Sequence, residues 1–451
     1  MPNKSKAEPP ASHPESVFGT RIANVPPSSI LIRGGRVIDP AQGLDAEADV
    51  LLKEGKVAEV GKPGHSAAEV IDARGLVVAP GFIDLHSHLR EPGQWQKETI
   101  ATGTAAAAAG GFTSVCAMPN TSPINDLPAI TRWMQEPERG AIVNVFPVAA
   151  ATVGSKGEQL TDFYALIEAG AVAVSDDGTP LGDDRIMRLA LTAAATLQLP
   201  VMQHPEDLAL TQGGLMHEGP TAFRLGLHGM PARAEWSIVE RDIDLADEIG
   251  AILHVTHVST VGALEAVRRG KRAGVRVTCE VTPHHFTLID EDVVPYDTRY
   301  KMNPPLRSRE DREALLAGLA DGSIDAIATD HAPHAPHEKS VEFDRAPFGI
   351  IGLETALALA ITRLHVDRQL PLARLVELLS TNPARIVARA GRGTLAPGSF
   401  ADVTIFDPKK RWRYEAATGV SKAHNTPFDG WELTGQVVAT IVGGQVVYRA
   451  R

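Results

Sequence analysis

Residues 82–90, Phe82-Ile83-Asp84-Leu85-His86-Ser87-His88-Leu89-Arg90, read as a strand that runs into a charged turn. Side chains of a strand alternate between its faces, so Asp84, His86 and His88 project one way and Ile83, Leu85, Ser87 and Leu89 the other. Two imidazoles thus meet on one face, and neutral imidazoles at i and i+2 at a strand end suit a borderline metal such as zinc. Ala79-Pro80-Gly81 leads in, and Arg90-Glu91-Pro92-Gly93 leads out through a turn. A His-x-His pair by itself is equally a polar strand end with two exposed histidines. Its weight depends on the rest of the chain.

Working outward, strand-like runs recur at 82–89, 113–118, 142–149, 171–175, 200–203, 251–258, 275–281 and 324–329. Helical stretches fall between them at 98–109, 159–169, 184–197, 234–249, 261–270 and 309–319, with 354–364 after the last. Eight apolar strands alternating with helices predict a (β/α)8 TIM barrel, a fold that typically takes about 250 residues before insertions. An open doubly wound sheet is the alternative, but no Gly-x-Gly-x-x-Gly opens a helix after the first strand.

The two ends share a different grammar, of short β-branched runs between turn signals. Ile30-Leu31-Ile32, Arg36-Val37-Ile38, 49–52 and 57–60 stand on one side of the barrel, and 401–406, 436–442 and 445–448 on the other. They predict small antiparallel strands assembled from both chain ends into one β-sandwich, comprising 29–80 plus 394–451 around a barrel at 81–393. Residues 1–28 are rich in Pro, Ser, Ala and charge without apolar periodicity, the composition of a disordered tail.

The 451 residues carry 55 acidic and 44 basic side chains, a formal net charge of -11, which disfavours nucleic acid and anionic membranes as partners. Cys116 and Cys279 are the two cysteines, too few for a disulfide framework and not spaced as a redox pair; both lie in apolar runs and read as buried thiols. No apolar run is long enough to span a bilayer, and the N-terminus lacks the apolar core of a signal peptide. The expectation is a cytoplasmic protein.

A barrel keeps its chemistry at the C-terminal ends of its strands. The first ends in His86 and His88, the second runs into Pro119-Asn120-Thr121, and the fourth ends in Asp176-Asp177-Gly178. The fifth ends in His204-Pro205-Glu206, the sixth carries His257, and the eighth ends in Thr329-Asp330-His331 followed by His334. Each taken alone is more readily a structural histidine or a turn. Four histidines and two aspartates at one end of five strands instead match the N and O donors of a hydrolytic zinc site, with an extra carboxylate such as Asp177 able to bridge two ions. His284, His285, His331 and His337 read as supporting, structural or solvent-facing groups.

In these residues and the blocks around them the chain resembles the class I dihydroorotases of the amidohydrolase superfamily. The matching blocks are Pro80 to Gly93, Ala117-Met118-Pro119-Asn120-Thr121, Ser175-Asp176-Asp177-Gly178, Glu280 to His285, Lys301 to Arg307, Ala328 to His334 and Pro347-Phe348-Gly349. The resemblance implies zinc-dependent, reversible cyclisation of N-carbamoyl-L-aspartate to dihydroorotate in pyrimidine synthesis. It implies His86, His88 and Asp330 as ligands of one zinc, His204 and His257 as ligands of a second, and Asp177 as the bridge, giving one or two ions per chain. Asp330 is implied as the proton shuttle. Arg90, a bidentate fork for the substrate carboxylate, is joined by Asn120 and His334, while Asn303 and the backbone of Phe348 and Gly349 read the ring edge; His88 also borders the substrate.

Many hydantoinases and allantoinases bridge their metals with a carbamylated lysine, and 171–177 contains none. Those cyclic-amide hydrolases remain the nearest alternative. A non-catalytic relative that survives as a partner of aspartate transcarbamoylase is another. A homodimer and a transcarbamoylase partner are the expected associations, and 296–303 is the expected loop beside the site.

Overall fold

The computed structural model describes residues 29–64, 67–293 and 295–450, so the expected tail at 1–28 and His65 lie outside the described residues. The central sheet holds eight strands, β1 (Phe82–Ser87), β2 (Phe112–Ala117), β3 (Asn144–Ala149), β4 (Ala173–Val174), β5 (Val201–Gln203), β6 (Leu253–Val255), β7 (Val277–Val281) and β8 (Ala326–Ile327). Sequence neighbours are sheet neighbours throughout, and every pairing is parallel. All six residues of each of β1, β2 and β3 are buried, the signature of a parallel sheet covered on both faces.

The seam between first and last strand closes the barrel. Ser87 bridges His331, and His88 N donates to His331 O at 2.9 Å. One turn deeper, the Asp84 carboxylate accepts from Thr329 N at 2.8 Å and from Thr329 Oγ1 at 2.6 Å. Asp84, on the same strand face as the two histidines by period, therefore sews β1 to β8 instead of joining the site.

The outer helices include Asp184–Thr196, Arg233–Ile249, Val261–Ala273 and Arg309–Asp321. Three of these start where a side chain satisfies an exposed backbone N–H: Asp183 accepts from Ile186 N, Thr260 from Ala263 N and Ser308 from Asp311 N. A further helical run over 372–386 and the paired segments Met216–His217 and Gly229–Met230 have no counterpart among the expected elements. None of the described helices is long and apolar enough to cross a membrane.

The terminal strands form a second sheet. Val403–Arg413 pairs antiparallel with Val77–Pro80, which joins the two ends of the chain. Two details differ from the expected antiparallel set. Ile30–Asp39 is one strand with an irregularity between Ile32 and Gly35, because Gly34 at φ +69° turns the backbone and a Cβ on Gly35 would lie 2.5 Å from Val78 Cγ2. The same strand also pairs parallel with Glu69–Asp72 and Val77–Pro80, so the sheet is mixed. It curls back on itself: Val57 N donates to Ser399 O and Ala401 N to Gly55 O, both at 2.9 Å. A single core including Ile30, Val50, Val57, Val78, Val403 and Ile441 fills it.

Candidate metal centre and substrate pocket

The strand ends bring six side chains together. Nε2 of His86 lies 3.2 Å from Asp177 Oδ1 and 3.6 Å from Asp330 Oδ1, and Nε2 of His88 lies 3.1 Å from Asp330 Oδ1 and 3.6 Å from Asp177 Oδ2. Asp177 Oδ1 is also 3.7 Å from His204 Nδ1 and 3.8 Å from His257 Nε2, and those two nitrogens are 2.9 Å apart. All six residues are buried. The donors fall into three overlapping sets, each spanning no more than 4.8 Å: His86, His88 and Asp177; His86, His257 and Asp330; Asp177, His204 and His257. Asp177 belongs to two of them. Its neighbour Asp176 turns away, accepting from Thr152 N at 2.9 Å and from Thr152 Oγ1.

The rings are aimed from behind. His86 donates from Nδ1 to Glu280 Oε1 at 3.1 Å, and the other oxygen of Glu280 accepts from His254 Nε2 at 3.1 Å. His88 donates from Nδ1 to Asn120 Oδ1 at 2.8 Å, and His204 from Nε2 to Glu206 Oε2 at 3.1 Å. Each bond orients its ring and turns the opposite nitrogen toward the cluster, the direction from which a metal is ligated when the imidazole is neutral. Burial works against a charge on Glu280, but His254 and His86 hold its carboxyl down at about 2. Burial likewise opposes the charge on Asp330, yet His86 and His88 keep it well below the usual carboxylate range.

Nε2 of His86 and Oδ1 of Asp177 are both buried, and neither makes a hydrogen bond despite their proximity. Buried polar atoms are almost always satisfied. Two unsatisfied donors of electron pairs facing one another, backed by orienting carboxylates, are what a shared divalent cation requires. The residues fit a metal.

Arg90 stands at the rim with φ +62°, buried, and donates from Nε to Pro333 O at 3.1 Å. Its neighbour Glu91 accepts from Ile100 N at 2.7 Å. Burial pulls the Arg90 guanidinium down to about 10, against Asp330, Asp177, Glu338 and Glu98, and leaves it cationic at neutral pH. His257 at φ 34° and Asp330 at φ 45° share the left-handed backbone of Arg90. Such conformations cost about 1–3 kcal/mol each and cluster at functional sites.

Asn303 donates from Nδ2 to Glu206 Oε2 at 2.9 Å. His334 donates from Nε2 to Phe348 O at 2.8 Å, and burial together with Arg90 pushes its imidazole down to about 2, so it is neutral. Gly349, at φ +146°, has no room for a side chain: a Cβ would stand 2.7 Å from Ala332 O and 2.9 Å from the His334 ring. Two lysines lace the loops that carry these groups. Lys339 Nζ donates to Thr298 O at 3.0 Å and Pro347 O at 2.8 Å, and Lys301 Nζ to Phe343 O at 2.6 Å.

His284 and His285 are buried behind β7, His285 held between Thr282 Oγ1 and Pro304 O. His331 is buried between Glu98 and Gly352 N, and His337 is exposed. Glu280, Glu206 and Asn425 are the groups that sequence reasoning passed over. Glu280 and Glu206 do carry a faint signal, since each is an acidic residue at the end of a strand that faces histidines.

A family model described as Dihydro-orotase-like matches residues 75–263. A dihydroorotase of Geobacter sp. (strain M21) is 53% identical over 426 residues, covering 94% of this chain and 100% of that protein. A dihydroorotase of Solibacter usitatus is 53% identical over 418 residues, covering 92% and 97%. Among solved structures, an L-hydantoinase (dihydropyrimidinase) from Arthrobacter aurescens superposes with a TM-score of 0.84 at 26% identity, over 94% of this chain and 96% of that one. A dihydropyrimidinase from Brevibacillus agri gives 0.80 at 25% identity, over 93% and 95%.

Proposed function

The chain belongs to the dihydroorotase family of cyclic amidohydrolases, and from that premise we propose that the barrel mouth interconverts N-carbamoyl-L-aspartate and (S)-dihydroorotate. The observation that carries the proposal is the unsatisfied pair His86 Nε2 and Asp177 Oδ1, within one mouth with the buried cation of Arg90. A divalent ion, zinc in this reading and one or two per chain, is held by His86, His88, Asp177, His204, His257 and Asp330 and supplies Lewis acidity.

The chain's own groups do the rest. In ring opening, water adds to the ring amide carbonyl, the C–N bond breaks, and the side-chain carboxyl and ureido group of N-carbamoyl-L-aspartate appear. Asp330, kept ionised, takes the proton from the attacking water and returns it to the departing nitrogen; cyclisation runs the same transfers in reverse. Arg90 still has its terminal N–H groups to offer and pairs with the free carboxylate of the substrate as a planar fork. Asn120 has its Nδ2 left for the same carboxylate after Oδ1 is taken by His88. His334 contributes by holding the Phe348 carbonyl, and Asn303, Phe348 and Gly349 line the ring edge.

In this reading the protein serves de novo pyrimidine synthesis in the cytoplasm, as a homodimer that associates with an aspartate transcarbamoylase. The test is turnover of dihydroorotate and of N-carbamoyl-L-aspartate by the purified, zinc-loaded protein beside an Asp330→Ala variant. Metal content is measured on both, with hydantoin and dihydrouracil as control substrates. We expect wild-type turnover that falls by about 10²–10⁴-fold in the variant. Zinc-loaded wild type that leaves dihydroorotate untouched and opens a control ring overturns the substrate assignment.

A further inference from the structure

The loop after β8 and the segment around Gly349 run side by side with one regular contact, a bridge between His331 and Ile350 reinforced by Ala332 N donating to Ile350 O at 3.0 Å. Beyond it no backbone hydrogen bond joins the two closely packed segments. The carbonyls of Ala332 and Gly349 and the N–H of His334 are instead met by one side chain. Asn425 donates from Nδ2 to Ala332 O at 2.9 Å and to Gly349 O at 3.0 Å, and accepts at Oδ1 from His334 N at 3.0 Å. Both amide protons are used, Asn425 is buried, and its own carbonyl accepts from Ile351 N at 3.1 Å.

Asn425 reaches this position from far away. It lies on the connection between Val403–Arg413 and Glu432–Val442 of the terminal sheet. That connection is pinned to the barrel nearby, where Ser421 Oγ donates to the buried Glu98 at 2.5 Å and Ser421 N to Glu354 at 3.0 Å. Three hydrogen bonds from one immobilised amide therefore fix the spacing of two loops that otherwise lack regular structure. The positions they fix are those of the His334 ring, which in turn holds Phe348 O, and of Gly349.

We propose that Asn425 is a positioning residue for substrate: it sets the geometry of the His334 to Gly349 wall, and through it affinity for the substrate's polar edge, without touching substrate. The inference rests on the substrate reading above. Misplacement of a binding group by about 1 Å is enough to cost roughly 10²-fold, whereas the strand-borne metal ligands do not depend on this amide. Loss of Asn425 should therefore appear in KM and not in kcat or metal content.

The experiment compares wild type with Asn425→Ala and Asn425→Ser as full-length, zinc-loaded proteins. It measures KM, kcat, metal content, thermal midpoint and amide exchange at His334. We expect KM for dihydroorotate to rise by about 10- to 100-fold with kcat within about threefold, unchanged metal content, and faster exchange at His334 with Leu253 in β6 unaffected. A merely structural role lowers the thermal midpoint and the active fraction but leaves KM in place. Asn425→Ser keeps a polar group at this position and serves where the alanine variant does not fold. An unchanged KM in either folded variant overturns the proposal. Should the wild type prefer another cyclic amide, KM is read on that substrate, so failure of the substrate reading and failure of this inference stay separate.

Discussion

His86, Asp177, His204 and His257 stand in, or within three residues of, barrel strands whose hydrogen-bond ladders are buried, whereas Asn303, His334, Phe348 and Gly349 lie on stretches with no regular secondary structure. In the first region the backbone is placed by the sheet, and Glu280, Glu206 and Asn120 have only to rotate rings. In the second there is no ladder, so the backbone itself is held by side chains: Asn425 and Lys339 on carbonyls of the loops, and Lys301 beside them. The two halves of the proposed site thus obtain precision by different means. A metal site needs fixed donor directions, while a substrate wall needs fixed loop spacing.

This contrast can be broken from either side. Arg90→Met should give a larger effect than Glu280→Gln or Lys339→Met. It removes the charged fork but leaves the strand ends alone, so KM for dihydroorotate should rise by about 10²-fold, corresponding to the roughly 1.5–3 kcal/mol of a charge-assisted hydrogen bond. Metal content stays at the wild-type value; a fall in bound metal would show that the two halves are not separable at Arg90.

Glu280→Gln probes the other half. Glutamine keeps one carbonyl acceptor but loses the negative charge and the second acceptor oxygen that His86 and His254 share, so the His86 tautomer is held less firmly and metal affinity should drop by about 10- to 100-fold. Titration with a competing chelator measures this directly. At saturating zinc the variant should recover most of its KM, because the loop wall is untouched.

The smallest effect sharpens the account of the loops. Burial, with Lys301 nearby, lowers Lys339 from 10.5 to about 7. Between these values the folded state binds fewer protons than the unfolded chain, so stability contributed at this site rises with pH. The slope is at most about 1.4 kcal/mol per pH unit. Below about pH 7 the ammonium is charged in both states and its burial cost is complete. Wild type should therefore gain stability relative to Lys339→Met as pH is raised from 7 to 9 in denaturant melts, and parallel pH profiles would refute the assignment.

Much of the fold was legible because it rests on local signals. Strand period, the alternation of apolar strands with helical stretches, and the turn at Arg90 to Gly93 each act within a few residues, and the eight strands appear where those signals put them. The mixed terminal sheet was less legible. Two runs split by Arg33-Gly34-Gly35 look like separate strands, and only packing against Val78 shows that the glycines carry one strand through a bend.

The sequence by itself determined the barrel and the gathering of His86, His88, Asp177, His204, His257 and Asp330 at one mouth, since strand ends of a closed parallel sheet necessarily share a rim. Only the tertiary structure decided which polar groups leave that set and which join it. Asp84 shares the strand face of His86 but is spent on Thr329, 245 residues away. Glu280 orients His86 across 194 residues, and Asn425 holds Gly349 across 76. Hydrogen-bond partners at such separations are selected by chain closure and burial, and neither leaves a periodic trace along the chain.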